Sequence, residues 1–353
     1  MSSSSIHKMQ LPREITVGRD TLGIVGEICS KLGYRGKALV ISGPLTMKIA
    51  GHPAVDSLSR AGFDVSTIVV DEATPETIAT TRKKIGSVQP SIVLGVGGGR
   101  VIDISKLSST EEKLPFISIP TTASHDGIAS PRASIKGGKK PHSVKAESPI
   151  AIIADTEIIA KAPYRLLASG CGDLIANSTA VKDWELSYKL RNEYYGEYSA
   201  SLSRMCAELI IRNASLIKQK ADESIRIVLE GLISSGVAMG IAGSSRPASG
   251  SEHMFSHSLD LLAKSHALHG EQCGVGAIMM MHLHGGDWQK IRDALKEIGS
   301  PTTAEELGVG SEDIINALCY SHRIRPDRYT ILGVKGLTKE AAERLARITG
   351  VIN

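Results

Sequence analysis

The chain has 353 residues, enough for two domains or one large one with a sizeable core. Hydrophobic residues make up 42% and aromatics only 4%, so the core must rest on Ile, Leu, Val, Ala and Met. A net charge of +4 without an aromatic–basic stripe excludes an extended nucleic-acid surface, and five scattered cysteines without a CxxC pair exclude a zinc finger or disulfide framework.

The amino terminus MSSSSIHKMQ has no apolar stretch of the secretory kind, and reduced thiols fit a cytoplasmic protein. Short β-rich runs then alternate with helical patterns. KALVIS (37–42) leads into Gly43-Pro44, a turn signal. FDVSTIVV (63–70), SIVLGV (91–96), FISIP (116–120) and AIIAD (151–155) are further strands, and helical spacing covers 45–61 and 75–88. Thr74 before Pro75 reads as an N-cap with proline in the first turn. This alternation predicts a parallel sheet covered by helices. From Pro163 onward the texture is helical, with candidates at 200–220, 222–243, 248–264 and 271–284. The run 228–243 is interrupted by Glu230 and small polar residues, and reads as a buried helix too short to span a membrane. The expected architecture is a Rossmann-like α/β domain over residues 1–160 and an all-α domain over 161–353. Ligands of such folds sit at the carboxyl ends of the strands, here the cleft between domains.

The third strand runs into GVGGGRVID (95–103). Gly97, Gly98 and Gly99 precede a helix near Arg100, so backbone amides and the helix N-terminus can meet a phosphate. The pattern is neither GxGxxG nor a P-loop. Ordinary NAD sites carry an acid at a nearby strand end, where this chain has Ser42-Gly43-Pro44. A ribose 2′-phosphate would not be repelled there, which predicts that NADPH is accepted beside NADH. The fourth strand enters PTTASHDGIAS (120–130), where Thr121, Thr122 and Ser124 offer hydroxyls and Asp126 a carboxylate; a polar loop bonding to its own backbone is an equal reading. The segment 134–149 reads as a hairpin tipped by Gly137-Gly138, with Lys136, Lys139, Lys140 and Lys145 as candidates for holding an anion.

In the helical half, Gly172-Asp173 stands just before a helical pattern, where an Asp is ordinarily a cap. The stretch SEHMFSHSLDLLAKSHALHGEQ (251–272) holds His253, His257, His266 and His269, four of the eleven histidines. An Asp with two histidines suits a divalent metal with open positions. Helical spacing pairs His253 with His257, and spacing alone does not choose between that pair and His253 with His269.

Together these motifs, with IPTTASHDGIASP, GCGDLIAN, HGEQCGVG and DWQKIRDALKEIGSPTTAEELG, run in order over residues 37 to about 310. With them the chain resembles the archaeal sn-glycerol-1-phosphate dehydrogenases, within the iron-dependent alcohol dehydrogenase and glycerol dehydrogenase superfamily. The resemblance implies one Zn2+ per subunit on Asp173, His253 and His269, with His257 beside the substrate. It implies that Gly99, Arg100, Val101, Ile102, Asp103, Thr121, Thr122, Ala123, Ser124 and Ser130 face NADPH or NADH, and that Asp126 and Asp173 approach the substrate. The implied reaction is reduction of dihydroxyacetone phosphate to sn-glycerol 1-phosphate, the backbone of archaeal ether phospholipids, in a cytoplasmic homo-oligomer without a transmembrane segment. The competing readings are a glycerol dehydrogenase acting on unphosphorylated polyols and a non-catalytic nucleotide-binding module.

Overall fold

Eight strands are present in the computed structural model, which describes residues 6–135, 142–264 and 267–353. They are β1 (Glu14–Gly18), β2 (Lys37–Ser42), β3 (Asp64–Val69), β4 (Ile92–Gly97), β5 (Phe116–Pro120), β6 (Arg132–Ile135), β7 (His142–Lys145) and β8 (Ala151–Asp155). Six of them form one all-parallel sheet in the order β1-β8-β5-β4-β2-β3, and β6 pairs antiparallel with β7. The expected hairpin arms are therefore present. Its Gly137-Gly138 tip with Lys136, Lys139 and Lys140 lies outside the described residues, as does His266.

Both faces of the sheet are buried. In β2, Ala38 and Val40 join one apolar cluster while Leu39 and Ile41 join another. In β4, Ile92 and Leu94 divide from Val93 in the same way. That is why these strands read as unbroken apolar runs rather than alternating ones. The edge strand β1 was not anticipated. Its EITVG run is mostly half-buried, with Glu14 tied to Lys31, so it lacks the apolar continuity of the inner strands. Thr74 caps Pro75–Val88 as expected, its hydroxyl accepting the Thr77 N–H at 3.2 Å. The helical segment expected at 45–61 is broken into a short turn, a π-helical turn at Met47–Gly51 and a regular helix at His52–Arg60.

Contacts gather the chain into two units, Met1–Ala123 with Gly127–Pro163, and Ser124–Asp126 with Tyr164–Asn353. Among its described residues the second unit contains helices and loops but no strand. Its main helices include Tyr164–Arg191, Glu197–Arg212, Asp222–Ala242, Ser251–Leu262 and His269–Leu283. The helix Asp222–Ala242 matches the expected 222–243, and by length and composition alone Glu223–Ala242 could cross a membrane, where the run 228–243 had read as too short. Its glycines do not break it: a Cβ on Gly231 would stand 2.9 Å from Leu174 Cδ1, so the missing side chain admits a neighbouring helix. Ile225, Val228, Leu229 and Leu232 of this helix are buried, as in a core helix.

Candidate functional site

In the first unit, β4 ends in Gly97 and a helix begins at Gly99. Gly97 is required sterically, since a Cβ there would lie 2.8 Å from Val101. Gly98 is not crowded in this way; its nearest neighbour would be Thr122 Oγ1 at 3.5 Å. The Ile102 N–H donates to Gly98 O, the first bond of the helix. This leaves the N–H groups of Gly99, Arg100 and Val101 without intrahelical acceptors, the arrangement that receives a phosphate. The Thr121 N–H donates to Gly97 O, which brings the ends of β4 and β5 side by side, and the Thr121 hydroxyl is buried without a hydrogen-bond partner among the described residues. Chain direction reverses here, β2 connecting outward to β3 and β4 connecting the other way to β5, the switch point at which dinucleotides bind. The strand bordering β4 at that point is β2, with Ser42 beside Val96, so no acid stands at its end.

Not every expected cofactor residue offers its side chain. Val101 and Ile102 are buried in the core. Asp103 accepts the Ser134 N–H at 3.0 Å and faces the fully buried Lys106, whose ammonium donates to the carbonyls of Gly127 and Arg132. Arg100 is exposed, while Ala123 and Ser130 are buried. Thr122 is half-buried beside Gly98, and Ser124 belongs to the second unit, its carbonyl accepting the Ser169 hydroxyl.

The second unit brings Asp173, His253 and His269 together. Asp173 Oδ1 lies 3.6 Å from His253 Nε2 and 3.8 Å from His269 Nε2. With Cys273, their ligand-capable atoms all fall within 4.8 Å of one another. Asp173 stands well inside the helix Tyr164–Arg191, not at its start. The GCG sequence before it resembles a helix break because two glycines do something else. A Cβ on Gly172 would stand 2.2 Å from Gly270 O, and one on Gly270 would stand 1.9 Å from Ser169 O. The two backbones touch there, and that approach carries Asp173 to His269.

Each imidazole is held from behind. His253 Nδ1 meets the Glu252 carboxylate at 2.9 Å, which makes Nδ1 the donor and leaves the Nε2 lone pair toward Asp173. His269 Nδ1 lies 3.2 Å from Ser256 Oγ, whose hydroxyl donates to Gln272 Oε1. Glu252 also accepts the Gly250 N–H and the Thr179 hydroxyl, and the adjacent buried Asp183 accepts the N–H groups of Ser251 and Ile331. Burial pushes the Asp173 and Glu252 carboxyls well above the ordinary range, Glu252 further under the charge of Asp183. It pushes the imidazoles of His253 and His257 well below theirs, so both are neutral near pH 7, and it raises the Cys273 thiol, which stays protonated. A buried carboxylate facing the Nε2 atoms of two imidazoles is a donor set that fits a divalent metal and leaves positions open. His257 stacks on His269 at 5.7 Å between ring centres and has a buried Nδ1 without a hydrogen-bond partner among the described residues. Asp126 is fixed in the same unit. Its N–H donates to Asp173 Oδ2, and its carboxylate accepts the Ser235 hydroxyl, both at 2.9 Å.

Sequence reasoning passed over Glu252, Ser256, Gln272, Asp183 and Cys273. Cys273 had a legible signal, standing four residues after His269 on one helical face. Glu252 had none, since a residue one step from His253 is not a helical neighbour by spacing.

Residues 16–163 match the family model for iron-containing alcohol dehydrogenase. The glycerol-1-phosphate dehydrogenase, NAD(P)+, of Methanothermobacter thermautotrophicus is 59% identical, over 98% of this chain and 99% of its own. That of Methanosarcina mazei is 56% identical over 100% and 99%, and that of Thermococcus kodakarensis 54% over 98% and 99%. Among solved structures, glycerol dehydrogenase from Schizosaccharomyces pombe has the same fold, with a TM-score of 0.83 at 22% identity over 99% of this chain and 91% of that one. With relatives this similar over its whole length, the chain belongs to the archaeal glycerol-1-phosphate dehydrogenase family.

Proposed function

We propose that this enzyme reduces dihydroxyacetone phosphate to sn-glycerol 1-phosphate with NADPH or NADH, supplying the backbone of archaeal ether phospholipids in the cytoplasm. The observation that carries the reading is the convergence of Asp173, His253 and His269 in a chain that is similar end to end to glycerol-1-phosphate dehydrogenases. We assign the nucleotide to residues 1–160, through Gly97–Asp103, Thr121–Ser124 and Ser130, and the metal and substrate to residues 161–353 together with Asp126. Asp173, His253 and His269 hold one metal per subunit, zinc in this assignment. When bound, the metal supplies Lewis-acid polarisation of the substrate ketone.

The chain's own residues do the remaining work. Glu252 and Ser256 fix the tautomers and ring orientations of His253 and His269. The Asp126 N–H holds Asp173 in place, while its carboxylate, steadied by Ser235, orients a substrate hydroxyl. His257 is kept neutral by burial and has a ring nitrogen that no described residue occupies, so it holds and passes the proton at the substrate oxygen. The glycine turn and the Thr121 hydroxyl bind the nucleotide whose hydride is transferred.

Metal content and nucleotide oxidation on one preparation test this. About one zinc per subunit is expected, with kcat/KM at least ~100-fold higher for dihydroxyacetone phosphate than for dihydroxyacetone, the range a site built for a polar group reaches. Equal rates with the two ketones would return the polyol reading, and nucleotide binding without turnover the non-catalytic one. Sedimentation tests the expected homo-oligomer.

A further inference from the structure

Three arginines of the second unit, Arg246, Arg325 and Arg328, influence one another or the site histidines electrostatically, and two of them are spent on structure. Arg246 is buried, paired with Glu193 and donating to Ser187 Oγ and Tyr329 O. Arg328 donates to Ser249 O and, at 3.0 Å, to Ser245 Oγ. Arg325 is half-buried and donates no hydrogen bond to any described residue. Asp327 is the acid that bears on it, at the level of charge alone. A guanidinium partly withdrawn from water with its donors unused is costly unless an anion meets it.

The position of Arg325 follows from two stitches. Ser258, near the end of the helix Ser251–Leu262, bonds to Ser321 at 3.4 Å between hydroxyls. Arg328 bonds to Ser249, just before that helix begins. Residues 321–328 are thus tied to both ends of the segment that carries His253 and His257, with Arg325 between the ties. Accordingly, Arg325 and Arg328 both bear on His253 and on His257, helping to disfavour their charged forms. Pro326 restricts the backbone of Arg325 to extended conformations, which fixes where its side chain starts.

We propose that Arg325 receives the phosphate of the substrate, in bidentate fashion, while Arg328 holds the segment in place. This rests on the phosphorylated-ketone reading above and deepens it. It also moves the phosphate from the lysines of 136–145 to the unit that holds the metal candidates. Arg325 thus brings guanidinium donors that meet no partner among the described residues to the segment beside His253 and His257, where a dianion can be met.

The test is Arg325→Met, with Arg325→Lys beside it, assayed with dihydroxyacetone phosphate, with dihydroxyacetone and with inorganic phosphate as inhibitor. Loss of a charge-assisted bidentate contact predicts a KM for dihydroxyacetone phosphate raised about thirtyfold or more. Competitive inhibition by inorganic phosphate should weaken by a similar factor, zinc content should equal that of the wild type, and lysine should recover part of the loss. If the wild type prefers the phosphorylated ketone and Arg325→Met keeps its KM and its phosphate inhibition, the assignment is overturned and the function stands. If the wild type reduces both ketones alike, the function fails and the assignment with it. Should the methionine variant lose its metal, Arg325→Gln is read by the same two measurements.

Discussion

The glycine turn of the first unit and the metal candidates of the second are built in opposite ways. The turn takes Gly97 to Asp103 from one strand–turn–helix passage, and what it offers a ligand is mostly backbone amides. The metal candidates take Asp173, His253 and His269 from three helices, across nearly a hundred residues, and side chains do all of it. A local site is specified by adjacent residues and survives small changes in packing. A dispersed one exists only as precisely as its helices pack, so residues that never touch a ligand decide whether it forms.

The strongest way to break this comparison is at the dispersed site itself. Asp173→Asn, His253→Ala and His269→Ala should each lose metal and activity together, with turnover down by roughly a thousandfold or more, as expected when Lewis-acid assistance is removed. Metal analysis checks it, and full zinc occupancy in one variant would return that residue to a structural role. His257→Ala should keep the metal and lose turnover. Metal lost from that variant alone would restore the helical pairing of His253 with His257.

Packing is the next lever. Gly172→Ala places a methyl 2.2 Å from Gly270 O, a backbone atom that cannot rotate away. The helices must part, so about 3 kcal/mol of stability and the metal should go together. Gly98→Ala is the contrast. Its methyl would be 3.5 Å from the nearest atom, so melting should hardly move while nucleotide KM rises. If calorimetry finds both variants equally stable, the two sites do not differ in the way argued.

These glycines also mark what was legible in the sequence. Strands buried on both faces announced themselves as apolar runs, and the Thr74 cap as a Thr-Pro pair, because their causes are local. Local pattern alone makes Asp173 an ordinary cap, because glycine ordinarily signals a turn. Here glycine signals a helix-to-helix approach, a fact about residues almost a hundred positions away. For the same reason His253, His257 and His269 could not be ranked by spacing. The partner that orients His253 is Glu252, its sequence neighbour, and nothing in a helical pattern distinguishes such a pair. Family resemblance supplied the ligand set, whereas spacing left it open.

Proton competition sharpens the comparison further. Burial raises the Asp173 carboxyl and lowers His253, so on acidification Asp173 takes up a proton while that imidazole stays neutral. Metal affinity should therefore fall as pH drops below neutrality, by at least about tenfold per unit for the Asp173 proton, and by less than the slope of three. Zinc titration between pH 5 and 8 measures the slope, in ~0.5-unit steps. A slope near three would mean that both histidines titrate with the carboxylate. Nucleotide binding, held by backbone amides, should show no comparable loss over that range.

The smallest effect belongs to Thr121. Its hydroxyl is buried without a partner among the described residues, and its N–H is already spent on Gly97 O. Thr121→Val removes an unsatisfied polar atom and nearly preserves shape, so stability should hold within about 1 kcal/mol or rise slightly. If the hydroxyl is reserved for the nucleotide, that substitution should still raise nucleotide KM about tenfold, the worth of one hydrogen bond. Metal content should be untouched, because the residue belongs to the locally built site. An unchanged nucleotide KM would mean that the hydroxyl is buried for packing alone, and that the glycine turn binds its ligand through amides without it.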